Sequence, residues 1–201
     1  MNRIKLKKNR PLSDILKQRT KKLSNELQKN MLNTTNLKSI EKYSKFILIQ
    51  YYFQKNIKDL YRIENISNLI IDLEERDEYF SISLDLKELN IIPVKKINLP
   101  EELSFLEALG WIYVTEDLTV KTKRLCKFSI NNSLYDQDHS INLVMNQDNE
   151  NVVWSKFEKS LDSIEIEFIE KIKVLKGAYD AFQFYDDLIK DILYENLKDK
   201  L

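Results

Sequence analysis

The sequence is poor in the residues that build turns and metal sites. It holds 2 glycines and 3 prolines among 201 residues. A β-sandwich or barrel needs many turn residues, and a phosphate-binding α/β domain needs glycines at its phosphate turns. The single cysteine, Cys126, excludes an internal disulfide and a zinc site made of four cysteines. These shortages favour an all-α protein.

Neither charge nor hydropathy singles out a partner. Lys and Arg number 32 and so do Asp and Glu, which gives a net charge of zero. Hydrophobic residues make up 43% of the chain, which argues against disorder and is enough to form one core. No apolar run reaches about eighteen residues, so we expect no membrane insertion. The sequence does not indicate an oligomeric state.

Residues 1–10 (MNRIKLKKNR) carry five basic residues and no acid. We therefore divide the chain into a basic N-terminal arm, 1–11, and one helical domain, 12–201. Pro11 with Ser13 and Asp14 predicts the start of a first helix. Apolar spacing predicts a second helix over Ile40–Tyr61.

Further helices are predicted in the second half of the chain. They cover Phe80–Leu89, Pro100 to about Phe128 and Val152–Leu161, and a polar, Asn-rich loop spans 129–151. Asp162 with Glu165 is a candidate cap for a last helix. The residues that we expect this last helix to bury are Ile169, Ile172, Leu175, Tyr179, Phe182, Tyr185, Ile189 and Leu193.

Four sequence segments carry a family resemblance. They are Leu16–Ser24 (LKQRTKKLS), the run Tyr43–Phe46 with Gln50–Phe53 and Leu60-Tyr61, Leu109–Glu116 (LGWIYVTE), and Gly177–Tyr185 (GAYDAFQFY). In this order they resemble the haem oxygenase family, especially its bacterial biliverdin-producing branch. The resemblance implies an all-α, single-domain, haem-oxygenase-like helical bundle that holds haem between a proximal and a distal helix.

The chain departs from the family at the positions that carry the chemistry. The family's proximal helix reads Thr-x-x-x-His, and that histidine ligates the iron; Thr20 matches, but the ligand position is Ser24. A serine hydroxyl is a poor ligand for haem iron. The family's distal helix continues Glu-Gly-Ser-x-Leu-Gly, where this chain has Asp117, Leu118 and Lys121, with Asp117 and Lys121 in place of the two glycines. We therefore expect no catalytic residue, no metal site and no haem cofactor.

Basic residues concentrate on the two helices that the resemblance places on either side of the haem. They form a candidate binding face for nucleic acid or an acidic protein: Lys17, Arg19, Lys21, Lys22, Lys121, Lys123, Arg124 and Lys127.

The sequence leaves three functions open. The first is a haem-oxygenase-like pseudo-enzyme that acts through binding. The chain is similar to divergent family members of plastid-bearing parasites. That resemblance implies a plastid-type (apicoplast-like) organelle after leader removal, and a role in organellar gene expression. The second is an active haem oxygenase, releasing biliverdin, iron and carbon monoxide, with Lys21, Cys126, His139 or a water held by Ser24 as the ligand. The third is a haem or tetrapyrrole carrier. A cytoplasmic location is the alternative to the organelle.

Overall fold

The computed structural model describes residues 10–34, 39–70, 72–94, 97, 103–132 and 150–198. These parts of the chain fold mainly as α-helices, with no strand among them. The predicted N-terminal arm, apart from its last two residues, lies outside the described residues, as do His139 and most of the predicted loop 129–151.

The α-helices follow one another around a single core. In chain order they are α1 (Leu12–Thr34), α2 (Ile40–Ile57), α3 (Glu64–Ser67), α4 (Tyr79–Glu88), α5 (Phe105–Asn132), α6 (Glu150–Asp162) and α7 (Phe168–Lys198), with 3₁₀ turns at Leu60–Arg62 and Glu74–Arg76. Helix α5 runs through the middle and packs most extensively on α7. The all-α class and the helical state of Phe80–Leu89 are thus confirmed.

Both glycines of the chain lie where α5 crosses α7. A Cβ atom on Gly110 would lie 2.1 Å from the Val174 carbonyl oxygen, and one on Gly177 would lie 2.1 Å from the Glu107 carbonyl oxygen. Side chains at these positions would force the two backbones apart. The glycines therefore set the distance between the helices.

An aromatic cluster fills the centre of the bundle beside this crossing. Phe53 of α2 meets the Tyr185 ring edge-on, with 5.0 Å between centroids, and Trp111 meets Phe184 in the same way at 5.4 Å. Trp111, Phe53 and Tyr185 are fully buried. The cluster ties α2, α5 and α7 together and so fixes how α5 faces α1.

Several predicted helix boundaries and caps were wrong. Helix α2 ends at Ile57 and not at Tyr61, and the chain then tightens into a 3₁₀ turn. Helix α5 begins at Phe105 and not at Pro100, because Ser104 and Glu107 form a capping box. In this box the Ser104 backbone N–H donates to Glu107 Oε2 at 3.1 Å.

Asp162 does not cap the last helix. Its carboxylate accepts hydrogen bonds from the Ser13 backbone N–H and hydroxyl at 2.8 and 2.7 Å, so it caps α1 instead. Helix α7 is capped by Glu170, which accepts from the Glu167 N–H at 2.6 Å.

The predicted burial along α7 is correct only in part. Ile169, Ile172 and Tyr179 are 61%, 47% and 39% exposed, although the Tyr179 hydroxyl donates to the Arg19 carbonyl of α1 at 3.1 Å. Phe182, Tyr185 and Ile189 are buried as predicted, and Leu175 and Leu193 are half-buried.

Candidate functional site

The ligand position of the resemblance lies on the face of α1 that turns towards α5. Ser24 is buried, and so is Thr20 one turn earlier. The Thr20 hydroxyl donates to the Leu16 carbonyl at 2.8 Å and also lies within hydrogen-bonding reach of the Tyr113 hydroxyl on α5. The helix thus presents Ser24 directly to α5, as the family arrangement requires of its proximal residue.

Three side chains meet at this point and connect the two helices; we call them the Ser24 cluster. The Ser24 hydroxyl donates to Asp117 Oδ2 at 2.9 Å. Lys121, one turn further along α5, places its Nζ 2.6 Å from the same oxygen and also donates to the Ser24 hydroxyl. Both α5 side chains are about one-fifth exposed, so the cluster lies at the solvent edge of the interface.

Charge-assisted hydrogen bonds hold the Ser24 cluster together. The Lys121 ammonium donates to a carboxylate and to a hydroxyl, which are charge-assisted hydrogen bonds. The Ser24 hydroxyl donates its hydrogen to the carboxylate that Lys121 also contacts. The arrangement acts as a polar connection between α1 and α5.

The residues at this position do not fit a haem group. A planar macrocycle between two helices needs van der Waals contact on both faces, or roughly 7 Å between the facing atoms. Ser24 and Asp117 instead make a direct hydrogen bond of 2.9 Å across the interface. The described residues also contain no group of three or more His, Cys, Asp or Glu side chains arranged to hold a metal ion.

Neither of the two substitute side-chain ligands that the structure describes, Cys126 and Lys21, lies at this position. Cys126 is fully buried, and burial raises the pKa of its thiol well above the usual range. It follows Asp117 by nine residues, which is about 13 Å along a helix. The Lys21 side chain is exposed. His139 lies outside the described residues. Leu118 is buried in the core.

Sequence reasoning missed a buried ion pair directly beside the Ser24 cluster. Arg76 Nη1 lies 3.0 Å from Glu116 Oε2, and the Tyr61 hydroxyl donates to Glu116 Oε1 at 3.1 Å. Burial raises the pKa of the Glu116 carboxyl, and Arg76 and Tyr61 oppose that rise. Because all three side chains are buried and satisfied by one another, the group anchors the 3₁₀ turns to α5.

The predicted basic face divides into two parts. The α5 cations form ion pairs inside the molecule: Lys121 with Asp117, Lys123 with Glu78, and both Arg124 and Lys127 with Glu150, the last two at 3.4 and 2.6 Å. On α1, by contrast, Lys17, Lys21 and Lys22 are exposed and Arg19 is half-exposed; Lys22 has a single weak contact of 3.8 Å to Glu26. The structure therefore does not join these residues into one free basic surface.

The geometry defines an all-α bundle of the haem-oxygenase type with a bridged proximal–distal interface. No family model matches the chain. It is 30% identical to "Heme oxygenase PigA" of Pseudomonas aeruginosa over 154 residues, which cover 76% of this chain and 78% of that protein. The chain therefore belongs to the haem oxygenase family.

A solved structure shows the same fold. The NO- and CO-bound haem oxygenase from Neisseria meningitidis superposes with a TM-score of 0.72 at 23% identity, covering 91% of this chain and 92% of that one. The expected fold and family are thus confirmed.

Proposed function

We propose that this chain uses the haem-oxygenase fold as a binding protein and does not degrade haem. The observation that carries the proposal is the Ser24 cluster, because it occupies the line along which the family would hold iron and macrocycle. The three residues replace one ligand and two glycines of the family pattern, and they complement one another in charge and hydrogen bonding. Mutual complementarity is typical of an interface that has been repacked for stability.

The competing function is haem degradation, which the names of both relatives support. It would require the Ser24 cluster to open and another donor to reach the iron. Opening would separate Lys121 from its counter-charge and leave Ser24 without its acceptor, at a cost of about 1–3 kcal/mol. Haem binding energy would have to exceed that cost without the help of an imidazole ligand.

A titration with hemin separates the two functions. We expect the purified chain to give no sharp Soret band and no bile pigment with a reductant and oxygen. We also expect Ser24→His alone to give no haem spectrum, since Asp117 and Lys121 still fill the gap. The triple variant Ser24→His, Asp117→Gly, Lys121→Gly should gain one.

The matched control carries the same two glycines with Asn25→His in place of Ser24→His. Asn25 is exposed on α1, next to Ser24 but turned away from α5. This control should bind hemin no better than the unmodified chain. A Soret band and pigment formation by the unmodified chain would overturn the proposal.

The partner class also belongs to this proposal. Because the α5 cations are paired internally, the exposed α1 cations are the part of the basic face that is open to an acidic protein or a phosphate backbone. We further propose the plastid-type location and the role in organellar gene expression that the resemblance implies. Imaging of the tagged, full-length gene product tests the location.

A further inference from the structure

The connection between α6 and α7 forms a strip in which apolar and acidic residues alternate. Residues 163–167 read Ser-Ile-Glu-Ile-Glu and are not helical. Ile164 and Ile166 are half-buried, whereas Glu165 and Glu167 are exposed. The backbone N–H groups of Glu165 and Ile166 donate to no acceptor in the described part of the chain. In an extended chain these two N–H groups point to opposite sides, so each side of the strip has one free donor, while the N–H groups of Ile164 and Glu167 are already bonded to Leu161 and Glu170.

Open grooves of about 650 and about 560 Å³ flank this acidic strip. The first is bordered by Arg10, Pro11 and Lys171 together with the acids Glu167 and Glu170. The second is bordered by apolar side chains of the core surface, Leu69, Phe105 and Leu106. An occupant would need apolar side chains for one side and basic side chains for the other.

The chain itself contains a segment with this chemistry. Residues 3–7 read Arg-Ile-Lys-Leu-Lys, so that basic and apolar residues alternate with the same period of two as in the strip. These residues lie outside the described part of the chain. Only Asn9 and Lys8 separate them from Arg10, which borders the first groove and whose carbonyl accepts from Lys171 Nζ at 2.9 Å.

Chain length allows the contact. From Arg10 back to Arg3 an extended chain spans up to about 25 Å, and a five-residue strip is about 17 Å long. Residues 10–13 already lie beside the strip, since Ser13 is held by Asp162 immediately before the strip and Arg10 borders the first groove. A covalently attached segment has a high effective concentration at such a site, which favours it over a separate partner.

We propose that the acidic strip at residues 163–167 binds the basic segment Arg3–Lys7 of the same chain. The segment lies extended along the strip and pairs with the one free N–H group, that of Glu165 or of Ile166, that points to its side. Ile4 and Leu6 contact the apolar groove, and the basic residues lie opposite Glu165 and Glu167. This binding does not depend on whether the α1–α5 interface admits haem.

A cysteine pair tests the contact in the full chain. We expect Lys5→Cys with Glu165→Cys to form an intramolecular disulfide under mild oxidation, since Cys126 is buried and does not compete. The matched control, Lys5→Cys with Glu88→Cys, places the second thiol on exposed α4 and should remain reduced. A disulfide between two molecules would overturn the proposal in favour of a second copy as the occupant.

Hydrogen exchange gives a second readout that needs no cross-link. In the full chain we expect one of the Glu165 and Ile166 amides, the one facing the segment, to be protected, and Lys5→Glu with Lys7→Glu to raise its exchange rate about tenfold or more. Charge reversal at Lys17 and Lys21 on α1 should leave this rate unchanged. Equal rates with and without reversal at residues 5 and 7, or protection only when another protein is added, would overturn the proposal.

Discussion

At the scale of single residues, three side chains of the Ser24 cluster determine how α1 meets α5. A double-mutant cycle with Ser24→Ala and Asp117→Ala measures their contact directly, without reference to haem. We expect a coupling energy of about 1 kcal/mol, because a hydrogen bond to a charged group contributes about 1.5–3 kcal/mol and solvent at this partly exposed site reduces that value. Equilibrium denaturation in urea provides the free energies of unfolding.

The control cycle replaces Ser24→Ala with Asn25→Ala, whose side chain is exposed on the same helix. It should show no coupling to Asp117→Ala. If the first cycle were also additive within error, Ser24 and Asp117 would not be in contact in solution. The case for a bridged interface would then fail.

Glu107 is the residue whose ionisation should be visible in the pH dependence of stability. Hydrogen bonds from Lys176 and Ser104 lower the pKa of this carboxyl from 4.5 to about 2. Its stabilising contribution is therefore complete above pH 4.5 and is lost as the pH falls towards 2. We expect the difference in free energy of unfolding between the natural chain and Glu107→Gln to narrow over that range.

The size of this effect should be small, because Lys176 is 60% exposed and salt screens the pair. Raising the salt concentration should reduce the difference at neutral pH. A difference that does not change between pH 4.5 and pH 2 would show that Glu107 has an ordinary pKa.

The sequence could identify the residues of the site but not their contact. Ser24, Asp117 and Lys121 were predicted from a resemblance of motifs. The i,i+4 spacing of Asp117 and Lys121 also indicates that these two share one face of a helix. Ser24 lies 93 residues away from Asp117 along the chain, and no local pattern reports a contact over that separation. Arg76 and Glu116 were missed for the same reason.

At the scale of helices, the crossing of α5 over α7 depends on two positions without side chains. Gly→Ala in a helix normally stabilises a protein by about 0.5–1 kcal/mol. At Gly110 the added methyl group would lie 2.1 Å from a backbone oxygen, so the sign should reverse. We expect Gly110→Ala to destabilise the protein by about 3 kcal/mol or more, or to prevent folding.

Far-ultraviolet circular dichroism during thermal unfolding measures this effect. Asn25→Ala, on the exposed face of α1, is the matched control and should not lower the midpoint. A Gly110→Ala protein as stable as the natural chain would mean that α5 and α7 are further apart than the structure shows.

Helix positions were easier to predict than helix ends and neighbours. Apolar periodicity located each of the long helices, because one buried stripe per helix is a property of the segment itself. It could not show that α7 projects its first turns beyond the core, which leaves Ile169 and Ile172 exposed. Nor could it show that Asp162 caps α1, since the partner lies 149 residues earlier. The Ser104–Glu107 capping box, however, was readable and should have marked the start of α5.

At the scale of the whole molecule, a net charge of zero conceals an uneven distribution of free charge. The four α5 cations form ion pairs with three carboxylates, those of Asp117, Glu78 and Glu150, so most of their charge is balanced and the exposed cations of α1 offer the larger surface for a polyanion. No helix in the described ranges is long and apolar enough to cross a bilayer. Because the exposed α1 side chains in question are cations, a contact between α1 and a polyanion should be electrostatic and should weaken as the salt concentration rises.

A charge-reversal comparison tests which helix provides this surface. At low ionic strength we expect weak binding to a duplex nucleic acid that Lys17→Glu with Lys21→Glu weakens further. If these two residues contact phosphates, their loss should make the plot of log binding constant against log salt concentration less steep, by about 2 in the slope. Arg124→Glu with Lys127→Glu is the matched control and should change binding far less, because both side chains already form ion pairs with Glu150. Equal losses from both variants would mean that these ion pairs open on binding and that α1 and α5 act as one face. No binding at low salt would exclude nucleic acid, leaving an acidic protein as the partner of α1.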